Sequence, residues 1–96
     1  MRMLLKMSIP TESGNRAVSG GVVGPILEKT LAELKPEAAY FAPINSVRTG
    51  FFFFDLKDPS DLPRLTEPLF VSLGAHVEVV PAMSVEELRK GLSQIG

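Results

Sequence analysis

Arg48-Thr49-Gly50-Phe51-Phe52-Phe53-Phe54-Asp55-Leu56 is the stretch that decides the fold, because it contains four consecutive phenylalanines. Successive side chains of a β-strand point to opposite faces of the sheet, so an extended segment here carries two aromatic rings on each face. A strand with one face in water does not carry this pattern. The stretch therefore predicts a central strand, 48–56, whose two faces are both covered.

Three further strands are predicted around this one. Residues 2–9 alternate apolar and polar side chains, the period of a half-buried strand, and Pro10 ends the run because it cannot donate to a sheet ladder. Residues 38–42 form a short strand, and 43–46 form a turn that leads into the central strand. Residues 75–82 form the last strand.

The segment between the first two strands predicts one helix. We expect residues 11–14 to form a loop and residues 16–35 to be helical, since apolar side chains recur there at spacings of three and four. Gly20 and Gly21 weaken the first half of this helix. Pro36 ends it, because the residue before a proline is disfavoured in the helical conformation.

Capping motifs in the sequence predict two more helices. Asp58 can cap a helix that starts at Pro59, and Gly74 is a typical helix stop. Ser84 and Glu87 have the spacing of a capping box, which predicts a last short helix that ends at Gly91.

The predicted order is β-α-β-β-α-β with a terminal helix, in a single domain of residues 1–96. This is the ferredoxin-like arrangement, an α+β fold with a four-stranded antiparallel sheet and both helices on one face. The other face would expose Phe51 and Phe53 beside Leu4, Lys6 and Val80. A patch of this kind marks an interaction site, and a two-fold partner covers it with one interface. We therefore expect a homodimer; the alternative is that residues 84–96 fold over the face of a monomer.

A family resemblance rests on the segments Lys35-Pro36-Glu37-Ala38-Ala39-Tyr40-Phe41, Arg48-Thr49-Gly50 through Asp58-Pro59-Ser60, and Glu67-Pro68-Leu69-Phe70. Over most of its length the chain resembles a family of small uncharacterised bacterial proteins, which are similar to the dimeric α+β barrel superfamily. That superfamily includes muconolactone isomerase, antibiotic-biosynthesis monooxygenases and stress-responsive barrel proteins. The resemblance implies a ferredoxin-like dimeric barrel with a cavity between sheet and helices or between sheets. It implies no activity, because no catalytic motif matches residue by residue.

Composition narrows the classes of function. The net charge is −1, and the 10 Lys and Arg residues are scattered among 11 Asp and Glu, which argues against nucleic-acid binding. The absence of cysteine excludes disulfides, thiol catalysis and iron–sulfur clusters. No run approaches the ~20 apolar residues of a membrane span. Lys6 interrupts the N-terminal apolar run too early for a signal peptide, so we expect a cytoplasmic protein.

His76, the only histidine, is the strongest candidate for catalysis. On the last strand it shares a face with Glu78, and the two can act as an acid–base pair in an apolar cavity, with Tyr40 or Asp55 assisting. The alternative is a histidine at the rim of the sheet and an ion pair of Glu78 with Lys6 at the dimer interface.

The candidate ligand-binding residues are the aromatic and charged side chains expected near that pair: Tyr40, Phe51, Phe53, Lys6 and Asp55. We predict no metal, because His76-x-Glu78 supplies two ligands where a usual site needs three or more. We predict no cofactor either, since the glycines at 20–24 match neither the dinucleotide fingerprint nor the P-loop. Arg48 flanks the hairpin and is expected at the surface.

Three hypotheses for function follow. The first is a dimeric barrel that binds a small apolar or aromatic ligand without turnover. The second is a cofactor-independent isomerase, cyclase or monooxygenase that acts on a small aromatic or lactone-like compound through His76. The third is a structural module whose sheet face serves assembly alone.

Overall fold

The computed structural model describes all residues, Met1–Gly96. It is a mixed α+β structure of four strands and four helices. In chain order, with a 3-10 turn at Pro59–Asp61, they are β1 (Arg2–Ile9), α1 (Thr11–Ser19), α2 (Val23–Leu34), β2 (Ala38–Ile44), β3 (Val47–Asp55), α3 (Leu62–Leu73), β4 (His76–Pro81) and α4 (Val85–Ser93).

The four strands form one open sheet in the order β2-β3-β1-β4, and every neighbouring pair is antiparallel. The connection from β1 to β2 runs through α1 and α2, and the connection from β3 to β4 runs through α3, so each skips one strand. Side chains of α1, α2 and α3 join the core on one face of the sheet. The other face carries no helix and is called the open face below.

The core is centred on two residues of the inner strands. Leu5 of β1 and Phe52 of β3 are directly opposite each other, and both are completely buried (0% exposed). The remaining core residues come from the sheet, from α1, α2 and α3, and from the residue just before β4: Met3, Met7, Ile9, Ala17, Leu34, Phe54, Leu65, Leu69, Leu73 and Ala75.

The predicted alternation along β3 is confirmed. Phe52 and Phe54 are buried under the helices, whereas Phe51 and Phe53 point to the open face and are half-buried. The pattern holds in β4 as well, where Val77 packs against the core.

The prediction for residues 11–35 is wrong in two respects. Residues 11–14 are not a loop, since α1 begins at Thr11 directly after Pro10. The helix is also not continuous, because Gly20 caps α1 and Gly21 has a φ of 70°, a left-handed conformation that an α-helix does not continue. The two glycines therefore divide the segment into two helices.

The predicted helix ends are largely confirmed. Lys35, before Pro36, and Gly74 both adopt the left-handed conformation that closes a helix. The capping box of Ser84 and Glu87 is present, although α4 continues past Gly91 to Ser93. The turn between β2 and β3 is shorter than predicted, because β2 extends to Ile44.

The burial of Phe52 gives the first prediction. Phe52→Ala removes a completely buried ring from the centre of the sheet and should lower the free energy of unfolding by about 3–5 kcal/mol. Chemical denaturation followed by circular dichroism measures the change. Phe70→Ala is the matched control, since Phe70 on α3 is 42% exposed and should cost less than half as much. Equal losses in the two variants would contradict this description of the core.

Candidate functional site

The strand register arranges most of the predicted site residues in rows across the open face. One row runs from β2 to β4 through Tyr40, Phe51, Lys6 and Glu78. Phe53 lies in the neighbouring row on one side, and His76 lies in the row on the other side. Alternation in the strands thus brings all seven predicted residues to one face, with Asp55 at its end, opposite Arg2.

The two predicted catalytic residues are exposed and unpartnered on β4. His76 and Glu78 are two residues apart on the same face, so their Cα atoms are separated by about 7 Å. No hydrogen bond or ion pair involves either side chain. Tyr40 is on the opposite edge strand, three strand spacings or about 14 Å away, so it does not reach His76 within one chain.

Lys6 and Glu78 are neighbours in the strand register, but the predicted contact between their side chains is not formed. The two residues are direct neighbours across β1 and β4. Their charged groups do not form an ion pair, and both side chains are left available on the open face.

Asp55 is engaged at the end of the sheet. Its carboxylate pairs with the Lys57 ammonium group at 2.6 Å and with the amino group of Met1 at 2.7 Å. The hydrogen bond from Lys57, and then that from the Met1 amine, lower the pKa of Asp55 to about 2. Asp55 thus links the end of β3 to Met1, which precedes β1, and to Lys57, which follows β3.

Arg2 links the open face to α4, a contact that sequence reasoning missed. Its guanidinium donates to Glu37 at 2.9 Å and to Glu87 of α4 at 2.8 Å. The two carboxylates raise the pKa of Arg2. The first turn of α4 is thereby held at the end of the open face where β1 begins.

A cavity of about 310 Å³ lies on the other side of the sheet, between α2, α3 and the strands β1, β2 and β3, and it is partly open to solvent. Most of its lining is apolar and includes Met7, Ile9, Val23, Ile26, Leu27, Phe41, Leu69 and Leu73. None of the predicted site residues lines it. We call it the helix-side cavity.

Gly50 shapes this cavity. It is buried opposite Phe41 of β2, and a Cβ atom at Gly50 would be 3.1 Å from the rings of both Phe41 and Phe52. Those rings pack edge to face, with centroids 5.5 Å apart. The missing side chain lets Phe41 lie against the sheet as one wall of the cavity.

Arg48 is the only ionisable residue among those that line the cavity. Its Nη2 donates to Oδ1 of Asn15 on α1 at 3.2 Å. The guanidinium rests against Gly14, where a Cβ atom would be 2.6 Å from Nη1. Alternation in β3 was a signal for this position, because Arg48 shares a face with Gly50 and Phe52 and thus points to the helix side.

The structure contains no group of three or more His, Cys, Asp and Glu side chains placed to hold a metal ion. None of its helices combines the length and apolar character needed to cross a membrane. Comparisons of the chain with protein-family models, with curated proteins and with solved structures gave no match.

The close packing around Gly50 gives the second prediction. Gly50→Ala forces the Phe41 and Phe52 rings apart and should destabilise the protein by about 1–3 kcal/mol. Gly91→Ala is the matched control, because its Cβ meets no atom within 4 Å and alanine favours the helix. It should leave stability unchanged or raise it by up to about 1 kcal/mol. Thermal unfolding measures both; an unperturbed Gly50→Ala variant would contradict the described packing.

Proposed function

We propose that this protein is a homodimeric α+β barrel that binds a small apolar or aromatic ligand in the helix-side cavity of each subunit. The cavity is the observation that carries the proposal. Its volume of about 310 Å³ is at the lower end of the range of small-molecule sites. Its lining has the composition of such sites, mostly apolar with few polar groups.

The apolar lining of this space supports a ligand. The cavity is partly open to solvent, so its apolar walls face water when no molecule lies in it, and burial of such surface is favourable. The space is not closed by a larger residue at Gly50, because a Cβ atom there would already be 3.1 Å from the rings of Phe41 and Phe52. A bound apolar molecule removes the apolar walls from water.

The strand order supports a ferredoxin-like arrangement for the proposed barrel. Two β-α-β crossovers each skip one strand, and the skipped strand pairs antiparallel with both of its neighbours. This connectivity supports the proposed split β-α-β arrangement, in which helices cover one face of the sheet and a partner covers the other.

The open face supports a second copy of the chain as partner. Leu4, Phe51 and Phe53 are only half-buried there, and Val80 is 48% exposed. Four strands about 4.8 Å apart and about 25 Å long give a projected face of roughly 500 Å². A standard interface needs about 800 Å² per partner, so the sheet alone is insufficient.

The apolar side of α4 supplies additional area. Val85, Leu88 and Leu92 are 44–60% exposed and recur at spacings of three and four along one stripe of the helix, and the exposed Ile95 follows just beyond its end. Arg2 holds α4 at the end of the open face. A second copy that covers the open face also meets this stripe, which brings the interface toward the standard size.

The isomerase, cyclase or monooxygenase alternative concerns a different place in the assembly. His76 and Glu78 are on the open face, so a reaction through them would take place between the two sheets of the dimer. The cavity that carries our proposal is on the opposite side. The enzymatic role of His76 and Glu78 therefore stays a prediction of the sequence.

The third prediction tests the ligand. N-phenyl-1-naphthylamine, a neutral fluorescent probe, should bind saturably with one site per chain. Val23→Trp projects an indole into the cavity from α2 and should weaken binding at least tenfold, as measured by fluorescence titration. Val22→Trp is the matched control, since its neighbour Val22 is 37% exposed and does not line the cavity. No saturable binding, or equal binding by both variants, would refute the proposal.

The fourth prediction tests the dimer. Sedimentation equilibrium at micromolar concentration should give twice the 10.4 kDa mass of one chain. Phe53→Glu places a charge in the centre of the open face and should yield monomers, because burial of an unpaired carboxylate is costly. Phe70→Glu on α3 should remain dimeric. A wild-type mass of one chain would show that the open face has no partner of this kind.

A further inference from the structure

We propose that the ligand of the helix-side cavity is a small aromatic or alicyclic carboxylate whose anionic group binds Arg48 at the cavity mouth. This inference rests on the proposed function and adds the chemical class of the ligand. It is based on which polar groups line the cavity and on which of them already have hydrogen-bond partners in the protein.

The hydroxyl groups of the cavity are already used. Oγ1 of Thr30 donates to the carbonyl oxygen of Ile26 at 2.8 Å, and Oγ1 of Thr49 donates to that of Val47 at 3.1 Å. Neither hydroxyl proton remains for a ligand. A molecule in the cavity therefore meets apolar walls and one strong donor group, the guanidinium of Arg48.

Arg48 has hydrogen-bond donors that no group of the protein binds. A guanidinium carries five N–H donors, and the one hydrogen bond of this side chain goes to the neutral amide oxygen of Asn15. No carboxylate forms an ion pair with it, whereas Arg2 and Arg64 are each paired with two. The positive charge at the mouth of the cavity is thus not neutralised by the protein.

The guanidinium is also held in place. Asn15 binds it from α1, and Gly14 leaves room for it to lie against the helix backbone. Positioning by neighbours lowers the entropy that a long side chain loses when it binds a ligand. One planar guanidinium matches a carboxylate, which accepts two parallel hydrogen bonds from it. The apolar walls then take the ring of the same molecule.

The test compares two probes of the same shape. 2-Naphthoate is an anion at neutral pH, and 2-naphthamide is its neutral counterpart. Isothermal titration calorimetry at low salt should show that the wild-type protein binds 2-naphthoate about three- to tenfold more tightly, the range of a hydrogen-bonded ion pair at an exposed rim. The preference should decrease as salt is added.

Two variants assign this preference to a residue. Arg48→Met keeps the length of the side chain and removes its charge, so it should bind both probes with the affinity that wild type has for 2-naphthamide. Arg16→Met removes an arginine of α1 that does not line the cavity and should keep the wild-type preference.

The outcomes separate this inference from the proposed function. Equal affinities of wild type for the two probes, or a preference that survives in Arg48→Met, would overturn the carboxylate assignment while cavity binding stands. Failure of both probes to bind saturably would overturn the cavity as a ligand site, and the assignment with it.

Discussion

The contact of Leu5 with Phe52 in the middle of the sheet is the constraint on which the other features depend. Both side chains are completely buried, and they are opposite each other in the two inner strands. A slip of one residue would turn every side chain of a strand to the other face. Phe51 and Phe53 would then enter the core, and the two buried phenylalanines would lie in water. The burial of this pair therefore fixes the two faces of the sheet.

The two faces have different chemistry because of that register. On the helix side, Gly50 follows the alternation of Phe52 and lets the Phe41 ring lie against the sheet, as one wall of a partly open cavity between the sheet, α2 and α3. On the open face, the rings of Phe51 and Phe53 lie beside Lys6 and form a mixed surface suited to another protein chain. One strand thus supplies a wall of the cavity and the centre of the proposed interface.

Features with a local cause were predictable from the sequence. Period-two alternation gave β1, β3 and the face of each side chain, because it depends only on strand geometry. The helix stop at Gly74 and the capping box of Ser84 and Glu87 were also predictable, since each is a hydrogen-bonding motif of a few residues. The seven predicted site residues share one face of the sheet for the same reason.

Features that depend on tertiary packing were not predictable in this way. The periodicity of 16–35 does not reveal that Gly21 turns the chain between α1 and α2, since glycine is tolerated within helices at a modest cost. The cavity depends on how far α2 lies from β2, which no local pattern specifies. Arg48 is exposed, as expected, but its contacts with Gly14 and Asn15 were not predictable, because they arise only when α1 packs beside β3.

The most direct measurement of this account is a methyl-resolved NMR titration of the protein with 2-naphthoate. The central claim is that the ligand and the partner occupy opposite faces of one sheet. We expect the methyl signals of Met7, Ile26 and Leu27 to shift with the ligand, while those of Leu4 and Val80 remain in place. Shifts confined to Leu4 and Val80 would place the ligand on the open face and contradict the account.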